Sequence, residues 1–418
     1  MINSAWLAIL KTMCDLPTAP LREEHVLAWV EQYILTLSPP GKLACVFDRA
    51  GNLRVDHLVD LENGSEAKGD GGGREDQRRL IFEAHVDHPG FISEEMIDEG
   101  AGLLRAEFLG GVKPSFFAGA GVRLFHPEGE SPWTLATVEG MPERRANSEA
   151  LTCVLKLRNP GMAVPVGTIG MWDLPDATLM GDLFTARVCD DLSGAAAMVC
   201  MLHAICERGI GRPFTLLFTR GEEIGFLGAF AAIKDDTLWA RENRRHCCVV
   251  GLENSRAMPQ AAMGLGAVLR VGDRTSIFSS ALTRFIKLTS DDLTDTLTDY
   301  RCQRALMDGG TCNSTVFDAA GFDSAGLTLP LANYHNMVAE DEVLSCVPTV
   351  PRTGEKIGSE AICVTDFAHL VELMVHLVER FHQYTGDHRG LQAQLNARLT
   401  RHAERLYTSV KLHREMED

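Results

Sequence analysis

PFTLLFTRGEEIGFLGA, residues 213–229, runs from an apolar strand into two adjacent acids, Glu222 and Glu223, and then into a glycine-containing turn. In an open parallel sheet, polar groups just beyond the carboxyl ends of strands converge on one crevice. Four further stretches repeat the pattern: RRLIFEAHVDHPGF (78–91), ARVCDDLSGAAAMV (186–199), CCVVGLENS (247–255) and AGLTLPLANYHN (325–336). They put His85, Asp190, Glu253 and His335 at or just past the ends of apolar runs. Together with Glu223 these groups are expected to meet in space. Two imidazoles and three carboxylates suit a pair of divalent ions with one carboxylate bridging. Ligands of this hardness favour zinc, cobalt or manganese over copper or iron–sulfur.

The neighbours of the five have readable roles. His85 and Asp87 stand two apart at a strand end, so both side chains project to one face. Asp87 can then accept from the ring nitrogen of His85 that does not bind metal and fix its tautomer. His88 reads as a pocket wall or surface residue. Asp190 and Asp191 precede Ser193 and Gly194 at a helix start. Capping of that helix accounts for one acid more readily than for both, whereas a bridging Asp190 with Asp191 holding the turn accounts for the pair. Neighbouring side chains in extended backbone point to opposite sides, so Glu223 can bind metal while Glu222 faces the attacking water as general base. Taken singly, Glu253 is an exposed strand end and His335 a satisfied loop histidine. The convergence of five compatible contexts is what supports a site.

A chain of 418 residues predicts two or three domains, at roughly 150 residues each. An apolar content of 45% is that of a globular protein. The apolar runs are too short and too often interrupted to cross a bilayer, and the opening MINSAWLAILKTMCDLP lacks the basic flank and small-residue cleavage site of an export signal, so no membrane partner is expected. A formal charge of −17 argues against nucleic acid, which requires a basic face, because the basic patches are as short as RENRRH at 241–246. The acidity is read as serving solubility. The 12 cysteines are scattered without a CxxC pair, and adjacent Cys247 and Cys248 fall in a buried strand. That usage points to a reducing cytoplasm.

Leu7, Leu10, Leu27, Val30 and Ile34 recur at helical spacing, broken by LPTAP at 16–20, which predicts two opening helices. The polar, glycine-rich ENGSEAKGDGGGRED at 62–76 lacks the ending of a phosphate loop and reads as a surface loop. Between His85 and Asp190 the texture changes to short alternating runs, GLLRAEFL (102–109), GVRLFHP (121–127), WTLATVEG (133–140) and LTCVLKLRN (151–159), which read as a small all-β domain inserted into the sheet domain. From Asp190 onward strand and helix alternate again. The fold class is therefore α/β, a mixed, mostly parallel sheet flanked by helices, with the β insert. The expected division is a catalytic domain in two parts (1–92 and 181–385), an insert (93–180) and a helical tail (386–418). The closing helix TDFAHLVELMVHLVERFHQY (365–384) precedes that tail, which carries Leu391, Leu395, Leu399, Leu406 and Val410 on one stripe. Such a stripe is a packing face, on the body or on a sister subunit.

At the level of motifs the chain resembles the tetrahedral aminopeptidases, the glutamyl and deblocking aminopeptidase group of the co-catalytic zinc exopeptidases. Ala84, His85, Asp87, Gly90 and Phe91 match that family's AHxDexGF segment. Asp190, Asp191 and Gly194 match its paired-aspartate segment, Glu222, Glu223, Ile224, Gly225, Gly228 and Ala229 its paired-glutamate segment, and Tyr334-His335 its closing metal histidine. The helical opening at 10–26 and the return from the insert at 164–191 follow the same order of parts, so the resemblance spans roughly residues 5–380 and leaves out the tail. It implies the zinc-exopeptidase fold. It implies one ion held by His85, Asp190 and Glu253 and the other by Asp190, Glu223 and His335, with Glu222 as base. A homo-oligomer built from dimers, up to a dodecamer, and assembled through the insert also follows from the resemblance. Three departures bear on substrate choice while leaving every metal position filled. Leu192 stands where an arginine is usual, Glu253 where an aspartate is usual, and Gly310-Thr311-Cys312 where the family has Gly-Thr-Asp.

The leading expectation is a two-metal aminopeptidase acting on short peptides, with zinc first among the metals and cobalt or manganese as alternatives. A metal-dependent amidohydrolase of N-acyl or small amide metabolites would use the same centre. A non-catalytic binding protein on the same scaffold is a third reading, against which an intact Glu222 argues.

Overall fold

A computed structural model describes residues 2–59, 78–127, 132–145, 148, 150–235, 244, 246–338 and 356–415. The glycine-rich stretch at 62–76 lies outside them. Contacts divide the chain into a compact unit, Met1–His382, and a second unit, Gln383–Asp418.

The main sheet has eight strands in the spatial order Lys42–Phe47, Leu53–Leu58, Phe214–Thr219, Arg79–His85, Cys247–Arg256, Asp323–Leu331, Ala267–Asp273 and Cys302–Met307. Four consecutive strands, from Phe214–Thr219 to Asp323–Leu331, are mutually parallel, and the edges bring in antiparallel pairs. The parallel strands are apolar on both faces because helices cover both, as a parallel sheet requires. Ile81, Leu217 and Val249 form one cluster with Ala229 and Ala232 of the helix Leu227–Lys234 and with Val316 and Phe317 of the helix Asn313–Ala319. By the period-two alternation of strands, the intervening buried residues Phe82, Leu216 and Val250 face the other side. The helix Leu192–Arg208 packs on Arg79–His85 and Cys247–Arg256, and is itself flanked by Ser4–Asp15 and Val364–Arg380. It ends at Gly209, whose left-handed backbone lets its amide reach back to the last carbonyls.

The expected opening helices are Ser4–Asp15 and Glu24–Leu35, separated at the predicted break. The alternating runs after His85 form a second sheet of seven strands lying between Gly90 and Trp172. Pairing of Leu103–Leu109 with both Gly90–Asp98 and Leu151–Leu157 closes this sheet on itself, which leaves the two-residue strand Glu143–Arg144 as an edge. Its interior is aromatic: Phe91, Phe108, Phe117 and Trp172 meet at ring-centroid distances from 4.8 to 6.3 Å, mostly edge to face. The chain thus leaves the main sheet at His85, traverses the closed sheet and returns toward Asp190.

A third sheet corrects one expectation. The run before Asp190 does not join the main sheet: Leu183–Ala186 pairs with Thr178–Met180 and with Glu360–Cys363. Local patterning marks such a run as a strand but carries no information about a partner lying far along the chain. The tail forms the helix Arg389–Glu415, and Leu395, Leu399 and Leu406 are exposed on it. No helix among the described residues is long and apolar enough to cross a membrane.

Candidate metal centre

His85 closes its strand, level with Thr219 of the parallel neighbour, from which the chain continues to Glu222 and Glu223. On the other side, the ladder between Arg79–His85 and Cys247–Arg256 ends at the Glu83–Gly251 pair. Glu253, two residues further, therefore stands level with His85, the last residue of the neighbouring strand. His335 lies four residues past the strand Asp323–Leu331 and Asp190 just before the helix Leu192–Arg208. Four of the five candidate ligands come from the carboxyl side of the parallel strands, and the fifth is carried in by the small third sheet.

Asp190 stands between the two imidazoles. Its Oδ1 is 3.6 Å from His85 Nε2 and its Oδ2 is 3.7 Å from His335 Nε2. His335 Nε2 is also 3.1 Å from Glu223 Oε1. One ligand atom from each of His85, Asp190 and Glu253 lies within 4.8 Å of the others, and the same holds for Asp190, Glu223 and His335. A third group, His85, Glu222 and Glu223, meets the same spacing, so Glu222 also lies at the centre. Buried polar atoms are normally hydrogen-bonded. Yet Asp190 Oδ1, Glu223 Oε1, Glu253 Oε2 and His335 Nε2 make no hydrogen bond among the described residues. Three oxygens and one nitrogen left in this way around one carboxylate fit divalent cations of the zinc, cobalt or manganese kind.

The surroundings hold these groups in place. His85 Nδ1 is 3.1 Å from the main-chain oxygen of Asp87 and 3.4 Å from Asp87 Oδ1. The hydrogen bond that orients the ring thus goes to the carbonyl, with the carboxylate adjacent. The two Asp87 oxygens instead accept from the amides of Glu222 and Glu223, each at 3.0 Å, so one acid positions both a histidine and the glutamate loop. His335 Nδ1 donates to the carbonyl of Gly111, 2.8 Å away, in the closed sheet's first long connection. A Cβ on Gly111 would come within 3.3 Å of that nitrogen, so the close approach favours glycine. Asp191 is fully buried. With its amide nitrogen turned toward the carboxylate, Asn254 donates to Asp191 Oδ1 at 2.7 Å. The Asp191 carboxylate also lies so close to Gly194 that a Cβ there would clash at 2.3 Å.

Sequence reading misjudged or missed three groups. His88 is 2% exposed and so is not a surface residue. It links the main-chain oxygen of Asp190 (2.6 Å) to Asn336 Oδ1 (3.0 Å). Its place in the run HVDHPG gives no local hint of that. Glu23 accepts from Arg220 Nε at 2.6 Å, from the amide of Gly221 at 3.0 Å and from that of Leu21 at 2.7 Å, fastening the glutamate loop to the chain before the second helix. Glu360, fully buried, accepts from the amides of Cys189, Asp190 and His335.

The electrostatics are those of anions crowded out of water. Burial first raises the Glu222 carboxyl well above its ordinary range; His85 opposes, and the Glu253, Glu223 and Asp87 charges add to the rise. Glu253 is pushed up to about 8, by burial and then by Asp190, against the pull of His85. Asp87 behaves oppositely. Burial acts to raise it, but His85 and the amides of Glu222 and Glu223 outweigh that and hold its carboxyl below the usual value. Bound cations reverse the penalty on a cluster of this kind, since their charge is the largest local one.

Comparison with known proteins agrees with this geometry. A family model described as M42 glutamyl aminopeptidase matches residues 67–347. No curated protein matches the sequence. Among solved structures, a TET aminopeptidase from the marine sediment archaeon Thaumarchaeota archaeon SCGC AB-539-E09 is similar with a TM-score of 0.67 at 20% identity, covering 90% of this chain and 97% of that one. The Pyrococcus horikoshii TET1 peptidase, which can assemble into a tetrahedron or a large octahedral shell, is similar with a TM-score of 0.63 at 18% identity, covering 89% and 99%. An endoglucanase structure from Thermotoga maritima also matches, with a TM-score of 0.58 at 17% identity, covering 89% and 97%. At these identities the likeness shows the fold alone, and the mixture of activities illustrates why function must be argued from the site.

Proposed function

The chain belongs to the M42 glutamyl aminopeptidase family, a family of metal-dependent peptidases, and from that premise we propose that it is a two-metal aminopeptidase releasing N-terminal residues from short peptides. The observation that carries the proposal is the placement of Asp190 between His85 and His335, with ligand-type atoms left without hydrogen bonds on either side. His85, Asp190 and Glu253 would hold one ion; Asp190, Glu223 and His335 would hold the other. Zinc is the proposed metal, on the mixture of imidazole and carboxylate donors. When bound, the pair supplies the Lewis acidity that polarises the scissile carbonyl and acidifies the attacking water.

The chain's own residues do the rest. Glu222, whose carboxyl is raised by burial and by neighbouring acids, is suited to accept the proton of the attacking water and return it to the leaving amine. Asp87 keeps the His85 ring and the Glu222–Glu223 backbone in register. Cavities border the centre on both flanks. One is lined by Glu253, Met258, Arg270 and Tyr334, the other by Leu109, Val112, Leu151 and Glu223. Room on each side of the scissile bond favours a peptide over a small amide.

A free N-terminal amine is cationic, and a centre edged by carboxylates attracts it. An unblocked aminoacyl amide is therefore expected to be cleaved faster than its N-acetyl counterpart, at fixed metal and salt. A clear preference for the acylated compound would move the assignment to the amidohydrolase reading.

The part of the chain at 93–180 is proposed to mediate assembly, since all five proposed ligands lie outside it. The relative that forms a tetrahedron supports a homo-oligomer, and a tetrahedron with a dimer along each edge is a dodecamer. Sedimentation is expected to show an assembly that persists on dilution; a monomer at all concentrations would refute this. A reducing cytoplasm is the proposed compartment, supported by buried free thiols such as Cys14, Cys189, Cys200 and Cys248. The net charge gives no reason to propose nucleic acid as a partner.

A further inference from the structure

The geometry points to Glu360 as a positioning residue that fixes the spacing between Asp190 and His335. This inference rests on the metal-centre reading above. Glu360 Oε2 accepts from the amides of Cys189 at 2.7 Å and Asp190 at 3.0 Å, and Oε1 accepts from the amide of His335 at 2.9 Å. A single buried carboxylate thus holds the backbones of two groups that come from different parts of the chain and would hold the same ion. Charge-assisted bonds of this type are about twice as strong as neutral ones. Both oxygens are engaged, with three main-chain donors on the carboxylate's roughly four acceptor sites.

The segment it grips is one that ordinary backbone preferences do not hold. Asn333, His335 and Asn336 all adopt left-handed backbone, with φ of 58°, 54° and 64°, a region sparsely populated by non-glycine residues. Strained positions of this kind persist where the surroundings over-determine them. Here the surroundings are the residues just before and at Glu360. Asn333 Nδ2 donates to the carbonyl of Ser359 at 2.8 Å. The amide of Gly358 donates to the carbonyl of Asn336 at 2.9 Å. Asn336 Nδ2 donates to the carbonyls of Arg187 and Gly358. The anchoring of Glu360 itself comes from the third sheet, where it pairs with Ala186, four residues before Asp190. Positions 358–360 therefore act as a clamp whose two jaws are the turn bearing His335 and the run leading to Asp190.

The shape of the carboxylate is what the clamp needs. Glutamine at 360 keeps the length but presents an NH2 group to one set of amides, and aspartate keeps the charge but shortens the reach by a methylene. Either change leaves at least one jaw unheld. Partners of this kind, bound to ligands rather than to the ion, typically alter metal affinity by about 10–100-fold when lost.

The test uses the full chain loaded with cobalt(II), comparing wild type with Glu360→Gln, Glu360→Asp and the control Asp366→Asn. Asp366 is also a buried acid accepting two main-chain amides, those of Gly264 and Gly266, but it touches no proposed ligand. Equilibrium dialysis reads cobalt affinity, visible absorption reads the ligand geometry, and thermal unfolding of the metal-free protein reads stability. Both Glu360 variants are expected to weaken cobalt binding by about 10–100-fold and to change the absorption spectrum, whereas Asp366→Asn lowers the unfolding temperature and leaves both metal readouts at wild-type values. Wild-type affinity and spectrum in either folded Glu360 variant would overturn the inference, and so would equal metal loss in Asp366→Asn. If glutamine at 360 prevents folding, the aspartate variant decides by the same criteria. Asp190→Ala serves as the separate check on the centre itself: undiminished cobalt binding there would refute the metal reading and not merely the role of Glu360.

Discussion

Glu222→Gln is expected to lower kcat by about two to four orders of magnitude while leaving the metal content of the purified protein close to that of wild type. The substitution keeps the shape of the side chain and removes its ability to take a proton. The argument for a base that is not a ligand begins with the adjacent amides. Those of Glu222 and Glu223 are pinned to separate oxygens of Asp87, which holds the backbone at both positions. Glu223 Oε1 then lies 3.1 Å from His335 Nε2 in a group that contains Asp190, whereas the group that contains Glu222, with His85 and Glu223 at the same spacing, lacks Asp190. Activity and metal content are to be measured on the same preparation. Metal lost in step with activity would exchange the roles of the two glutamates or make both of them ligands.

The second large effect is expected from Asp190→Ala. A carboxylate whose two oxygens face different imidazoles serves both ions, so its removal should strip both rather than one. Lewis-acid stabilisation is worth several kcal/mol, which at about 1.4 kcal/mol per decade amounts to a fall in kcat/KM of at least about a thousandfold. By contrast, Glu253→Ala, which touches only one of the two groups of ligands, should retain part of the metal. Elemental analysis of the two variants side by side distinguishes a bridge from a terminal ligand. Full occupancy in Asp190→Ala would take that residue out of the centre.

Much of this arrangement is legible in the chain itself, and the reason is chemical locality. The run RLIFEAH is apolar on both faces because helices cover both sides of its strand, and a histidine at its end is conspicuous for that reason. The alternation in LLRAEFL marks a strand with one buried face, and the aromatic interior of the closed sheet follows from residues whose spacing repeats every second position. The break between the opening helices and the glycine after ICER are local signals of the same kind. The five acidic and imidazole groups could be proposed together because each one sits where a strand pattern stops.

The sequence by itself determined the donor types, their positions at strand ends and the two textures of chain, since these depend on residues a few places apart. Only the tertiary structure decided which strand carries Asp190, that His88 is buried between Asp190 and Asn336, and that Gly111 of the closed sheet orients His335. The same is true of Glu360, whose bond to the amide of Cys189 spans 171 positions. Its sequence context, GSEAICV, is that of an ordinary short strand. A carboxylate that binds main-chain amides recognises no particular side chains, so nothing in the composition of its partners advertises the contact; the closing of the chain upon itself creates it.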